Sequence, residues 1–121
     1  MNFTYKLLLI TFLTSQLFSQ FQPQTKVELQ TAVDSWVEDN AAALETYGEI
    51  NTWDVSLISD MGNLFWYKNT FNDDISNWDV SNVTHMFSMF MGASDFDQDL
   101  SLWDLSSVTS MNNMFKDATS F

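Results

Sequence analysis

Cysteine is absent from the 121 residues. That excludes disulfides, thiolate metal sites, a cysteine nucleophile and a lipidated cysteine anchor. Histidine occurs once, at His85, so no site that needs two imidazoles exists. Basic residues are scarce: Lys plus Arg number 4 against 16 Asp plus Glu, a formal net charge of −12. Phosphate backbones are held by clustered Lys and Arg, so the composition predicts no nucleic-acid partner, and it disfavours an anionic membrane surface for the same reason. Leu7 to Leu13 is an apolar run, too short to cross a bilayer, which takes about 20 apolar residues. Aromatic residues are plentiful, with 11 Phe, 5 Trp and 3 Tyr, unlike a disordered acidic tail. The length allows one domain.

Residues 1–19 have the layout of a signal peptide. Lys6 provides a positive start, the apolar run follows, and Ser19 offers a small residue for cleavage before Gln20. The expected mature chain is exported and carries no transmembrane segment. Without cysteine, its stability has to come from packing.

Residues 20–48 read as an N-terminal capping region. Thr25-Lys26-Val27-Glu28 is a capping box. Leu29, Val33, Trp36, Val37, Ala41 and Leu44 then recur at mostly three- and four-residue steps, one apolar stripe of a helix. Gly48 is a natural stop. The expectation is a single amphipathic helix over residues 25–46, with Trp36 in the core.

From residue 49 the chain repeats itself. Trp53-Asp54-Val55-Ser56 returns 25 residues later as Trp78-Asp79-Val80-Ser81, and 25 later again as Trp103-Asp104-Leu105-Ser106. The columns Ile50/Ile75/Leu100, Ile58/Val83/Val108, Met61/Met86/Met111, Leu64/Met89/Met114, Phe65/Phe90/Phe115 and Phe71/Phe96/Phe121 hold the same register. A fixed period of this length marks stacked structural repeats. Trp78 and Val80 stand two apart, as on one strand face. Val83, Met86, Met89 and Phe90 suggest a short helical turn. The expected fold class is therefore an α/β repeat: a leucine-rich-repeat-like solenoid over residues 49–121, with a parallel strand ladder spaced about 4.8 Å and the N-terminal capping helix. Trp66 and Tyr67 break the columns, because Met91-Gly92 and Lys116-Asp117 hold the matching places. Such a pair is either packed against the cap or part of an exposed patch. Phe121 falls inside a repeat with no polar cap after it, which suggests that further copies follow.

The pattern Trp78-Asp79-Val80-Ser81, Val83-Thr84, Met86, Met89-Phe90 and Phe96 resembles that of the BspA-like leucine-rich-repeat surface proteins. The resemblance covers residues 49–121, and the helix before them looks like the segment that opens such arrays. It implies an exported or surface-attached repeat protein, in some members tied to adhesion. It implies no catalytic residues.

Identical positions in stacked repeats lie about 5 Å apart, so each acidic column is a row of like charges. Calcium between repeats is one way to compensate such a row. Its candidate ligands are Asp54, Asp79, Asp104, Asp74 and Asp99. The other way is for each Asp to cap backbone amides at a turn. No cofactor is otherwise implied. A paired-carboxylate hydrolase needs two acids converging in a cleft, and these acids form rows. His85 has Asp60 and Ser110 at its matching positions and no nucleophile motif beside it. The expected function is non-enzymatic: a secreted or cell-surface adhesion or binding protein whose partner is a protein or glycan ligand. The alternative is a carbohydrate-binding module using exposed Trp; a secreted hydrolase is a third reading.

Overall fold

The computed structural model describes residues 19–121. The signal-peptide reading therefore lies outside the described residues, apart from Ser19.

Helix α1 spans Lys26–Glu38 and α2 spans Asn40–Tyr47. The Thr25 hydroxyl accepts from the Glu28 amide at 3.2 Å. Glu28 reaches back past Thr25 and accepts from the Gln24 amide at 2.8 Å, a capping box displaced by one residue. The single helix expected over residues 25–46 is broken at Asp39, whose backbone is non-helical (φ −145°, ψ 83°) and whose carboxylate accepts from the Ala42 amide to start α2. An aspartate that can cap competes with helix continuation. The break shifts the helical phase. Leu29, Val33 and Trp36 of α1 are buried as the stripe predicts, with Ala32 buried beside them and Val37 half-buried, but in α2 the buried residue is Ala43, while the stripe residues Ala41 and Leu44 are exposed.

Below the helices, three coils of the repeat lie one against the next: coil one at 49–73, coil two at 74–98 and coil three at 99–121. The aromatic columns prove the register. Phe65, Phe90 and Phe115 stack parallel at 5.2 and 5.4 Å. Phe71, Phe96 and Phe121 stack at 5.7 and 5.8 Å. Within each coil the two Phe rings also stack, at 4.2, 4.2 and 4.1 Å. The apolar columns are buried throughout coils one and two and open toward the surface in coil three.

The coils are not built as expected. Among the described residues there is no β-strand, and the ladder contacts are single-residue parallel bridges, Asp60 to His85 and His85 to Ser110. The α/β leucine-rich-repeat-like solenoid with a parallel strand ladder is thus not the fold. The Trp segments cannot pair as strands because their amides are engaged in turns. Trp53, Trp78 and Trp103 each donate to the residue three before, and Ile58, Val83 and Val108 do the same. Ile50–Thr52 is a short 3₁₀ helix. The expected helical turn at Val83–Phe90 is likewise a run of turns, with no α-helix in the coils.

What joins the coils is an alternation of amides. Met61, Asn63, Phe65 and Tyr67 donate to the carbonyls of His85, Phe87, Met89 and Met91 in the next coil, at 2.7–3.0 Å. The amides of Leu64, Trp66 and Lys68 between them fold back three residues. Coil two repeats the device on coil three, from Met86, Ser88, Phe90 and Gly92. The alternation needs left-handed residues, found at Asn63, Ser88 and Asn113 and again at Tyr67, Gly92 and Asp117. Asn, Asp and Gly tolerate that conformation and most residues do not.

The upstream edge of coil one is covered by the rest of the chain. Phe21 accepts from the Asp54 amide at 2.9 Å and packs on Tyr47 and Trp53. The Gln30 side chain of α1 donates to the Leu64 carbonyl at 3.0 Å. The matching carbonyl of coil two, at Met89, accepts a coil-one amide, so a helix side chain does at the start of the stack what a coil does further on. Lys26–Asp60 (3.0 Å) and Lys68–Asp34 (2.7 Å) pin α1 at both ends.

Candidate functional site

The carboxylate columns are turn caps. Asp54 accepts from the Ser56 amide at 3.1 Å and hydroxyl at 2.6 Å, and Asp79 does the same for Ser81. Asp104 accepts from the Ser106 amide, Asp74 from Ser76 and Asp99 from Ser101, each at 2.9 Å. The chemistry is that of an Asx turn. Among the described residues no three His, Asp or Glu side chains are grouped to hold a metal ion.

These bonds favour the ionised carboxylate. The Ser56 hydroxyl and amide hold Asp54 below its ordinary range, and the Ser101 and Ser106 hydroxyls and amides do so for Asp99 and Asp104. For Asp74, the Ser76 amide and hydroxyl lower the carboxyl and outweigh desolvation and the like charge of Asp99, which both raise it. At Asp60, burial pushes the carboxyl up, but the Gly62 amide, the Lys26 ammonium and His85 together outweigh it and leave the group lowered. A depressed folded pKa adds stability above the unfolded value near 4, lost as pH falls through the lower folded value. Acid also relieves the repulsion of a −12 chain, but salt at about 0.15 M screens that term over roughly 8 Å. The expected result in that salt is a urea midpoint that falls steadily from pH 5 to pH 2. A flat or rising midpoint would show that the caps contribute nothing.

One column holds Asp60, His85 and Ser110, the residue types of a hydrolytic triad. Their side chains point their hydrogen bonds elsewhere. His85 Nδ1 pairs with the Thr84 hydroxyl at 2.8 Å, and Asp60 Oδ1 accepts from Lys26 and from the Gly62 amide. A nucleophile, base and orienting acid must be bonded in series, and these are joined through backbone bridges alone.

The repeat tryptophans are inside. Trp53 and Trp78 are each 2% exposed and Trp103 8%. The indole of Trp78 donates to the Ile50 carbonyl at 2.8 Å and that of Trp103 to the Ile75 carbonyl at 3.1 Å. Trp36 donates to Asp73 at 2.8 Å and meets Trp53 edge-on. The irregular pair is outside: Trp66 is 52% and Tyr67 50% exposed, edge to face at 4.9 Å.

The pair is held in place by its neighbours. Tyr67 has a left-handed backbone (φ 52°), unfavourable for a bulky residue. Its ring covers Gly92, where an added Cβ would stand 2.5 Å from it. The Asn69 side-chain amide donates to the carbonyls of Tyr67 and Gly92, at 3.0 and 2.8 Å. The half-exposed Phe87 ring covers Gly62 in the same manner. Sequence reasoning singled out Trp66 and Tyr67 but missed Phe87 and the two glycine seats. The signal lay in the columns: Gly62 precedes Phe87, and Tyr67 precedes Gly92, a small residue paired with a large one each time.

No helix among the described residues is long and apolar enough to cross a membrane. A family model described as "Mycoplasma protein of unknown function, DUF285" matches residues 31–121. No curated protein and no solved structure matches the chain.

Proposed function

We propose that this chain, which belongs to the DUF285 family of proteins of unknown function, is a non-enzymatic, exported or cell-surface binding protein. It engages another macromolecule through the side of the coil stack that carries Trp66 and Tyr67. The observation that carries this reading is the exposure of that pair while the other three repeat-region tryptophans are buried. A chain this small has apolar residues to bury and a net charge of −12 to keep it soluble. Two large aromatic rings left half in water, one on a strained backbone, fit a contact surface, where Trp and Tyr are enriched. Strain of this kind persists where surrounding structure holds it and accompanies function. Export rests on the layout of residues 1–19, and surface display on the resemblance of the repeat to BspA-like proteins.

A glycan ligand is the second reading, and exposed Trp66 is what favours it. A flat indole flanked by a phenol and an amide suits a neutral sugar face, and the acidic surface disfavours anionic polymers.

The test is a panel of immobilised extracellular-matrix proteins and neutral polysaccharides, probed with the full chain and with the Trp66→Ala/Tyr67→Ala double variant. Both side chains are half exposed, so the variant should melt as the parent does. The expected result is a ligand whose binding falls at least about tenfold in the variant, the size of an interface anchor. Protein hits support the first reading and polysaccharide hits the second. Equal binding by both forms, or no binding to either class, would remove the aromatic pair as a recognition site.

A further inference from the structure

We infer that the cleft between the helical cap and coil one binds a primary ammonium group carried on a short alkyl stem. The break at Asp39 shapes one wall of this cleft: Val37 stands just before the break and Asn40 just after it. Glu49 follows the Gly48 that stops α2, and Thr70, Phe71 and Asp73 lie at the close of coil one. With Trp36 these residues line a cavity of about 300 Å³, at the lower end of the range for small-ligand sites. Neither Trp66 nor Tyr67 lines it. The site occurs once in the stack. Its helical wall has no second copy, and in coil two Asp74, Asp95 and Gln98 stand in place of Glu49, Thr70 and Asp73. Those three are engaged between coils. Asp74 accepts from the Asn51 side chain at 3.0 Å, the Asp95 amide donates to the Asn69 carbonyl at 3.1 Å, and the Gln98 side chain donates to the Asn72 carbonyl at 2.8 Å.

The lining selects the ligand. Glu49 and Asp73 bring two carboxylates to a cavity that has no basic residue in its wall. The three described lysines stand elsewhere: Lys26 is paired with Asp60, Lys68 with Asp34, and Lys116 belongs to coil three. A cation from outside the chain complements that charge. Asp73 Oδ2 already accepts the Trp36 indole N–H at 2.8 Å. That bond fixes the carboxylate and leaves Oδ1 for a ligand. A guanidinium fork pairs best with both oxygens of one carboxylate. An ammonium is a point charge with three donors, so it takes one oxygen from Asp73, one from Glu49 and a third from the Asn40 amide or the Thr70 hydroxyl. A metal ion is served less well, because no three acidic or imidazole side chains are grouped for one among the described residues. The half-buried Val37 and the buried Phe71 give an alkyl stem a dry wall to lie along.

The probe is 1,5-diaminopentane, titrated into the full chain at pH 7 in about 0.15 M salt, where long-range attraction is screened. The readout is the set of indole N–H resonances. The expected result is a saturable shift of the Trp36 resonance, with those of Trp78 and Trp103, bonded to the Ile50 and Ile75 carbonyls, left in place. Glu49→Gln and Asp73→Asn should each weaken binding at least about tenfold, the size of one charge-assisted hydrogen bond. Both side chains are exposed, and Asn at 73 keeps an oxygen for the Trp36 indole, so both variants should melt as the parent does. Glu45→Gln removes an exposed carboxylate of α2 outside the cavity and should bind as the parent does. Nα-acetyl-lysine methylamide separates the sources of the group: binding equal to the diamine's assigns the site to a lysine side chain of a polypeptide, and binding of the diamine alone assigns it to a free amine. A Trp36 resonance that does not move would overturn the proposal. So would an equal loss in Glu45→Gln, which would reduce the effect to net charge, equal binding of 1-pentanol, which has no charge, or tighter binding of Nα-acetyl-arginine methylamide, which would make the group a guanidinium.

Discussion

Phe90→Ala is expected to lower stability by about 3–5 kcal/mol, the range for removing a fully buried aromatic ring. Phe90 is 0% exposed and sits where two stacks cross. Phe65 lies above it and Phe115 below it, both within 2° of parallel; Phe96 flanks it at 4.2 Å within its own coil, and Trp103 closes the remaining side at 6.3 Å. No neighbour can collapse into the space without leaving its own column, so the cavity would persist and add to the lost burial. Domains of this size are stable by about 5–15 kcal/mol, so the variant should be partly unfolded at room temperature or lose a large share of its urea midpoint. Phe121→Ala is the matched control. It is the same residue type in the same stacking system, but 53% exposed, and should cost about 1 kcal/mol. Comparable losses in the two variants would mean that the aromatic columns fill space without holding the coils together.

That control also explains what the sequence made legible. A column read at a 25-residue period is a set of equivalent contacts, and the Ile, Trp, Met and Phe columns are buried wherever a coil lies on both sides. The local structure was harder to read. Trp-Asp-Val-Ser has strand-like alternation, yet Asp79 captures the Ser81 amide and the Trp78 amide returns to Ile75, and both events end a strand. The three-residue steps of Val83, Met86 and Met89 suit a helix, but consecutive β-turns produce the same steps, and left-handed Ser88 forbids the helix. Serine gives no sign of that conformation by itself. Asn63 and Asn113 in the same column do. The helix break was similarly local, written in Asp39-Asn40 yet hidden by the apolar stripe that crosses it. Of the surface patch, Trp66 and Tyr67 were visible as departures from the period. Their seat on Gly92 could be found only by reading one coil against the next.

The second large effect is expected at Trp78. Trp78→Ala should lower stability by about 3–5 kcal/mol, because the side chain is 2% exposed, stacks on Trp53 at 6.2 Å and tilts on Phe65 at 5.9 Å. Trp78→Phe keeps most of the burial and removes the indole N–H, so it isolates the bond to the Ile50 carbonyl; about 1 kcal/mol is expected for that bond, since the carbonyl keeps the weaker Trp53 amide at 3.2 Å. The two losses also differ in kind. Each coil touches only its neighbours, so stability is close to a sum of intrinsic and nearest-neighbour terms. Trp78 belongs to the middle coil, and its deletion loosens coils two and three from coil one. Coil one stays fastened to α1 through Trp36 on Trp53, Lys26–Asp60 and Lys68–Asp34. Urea unfolding of Trp78→Ala should therefore separate into two transitions, with tryptophan fluorescence changing before the helical circular dichroism. The parent chain and Trp78→Phe should show both signals moving together. A single coincident transition in Trp78→Ala would mean that the helical cap and the three coils form one cooperative unit, with no boundary at the middle coil.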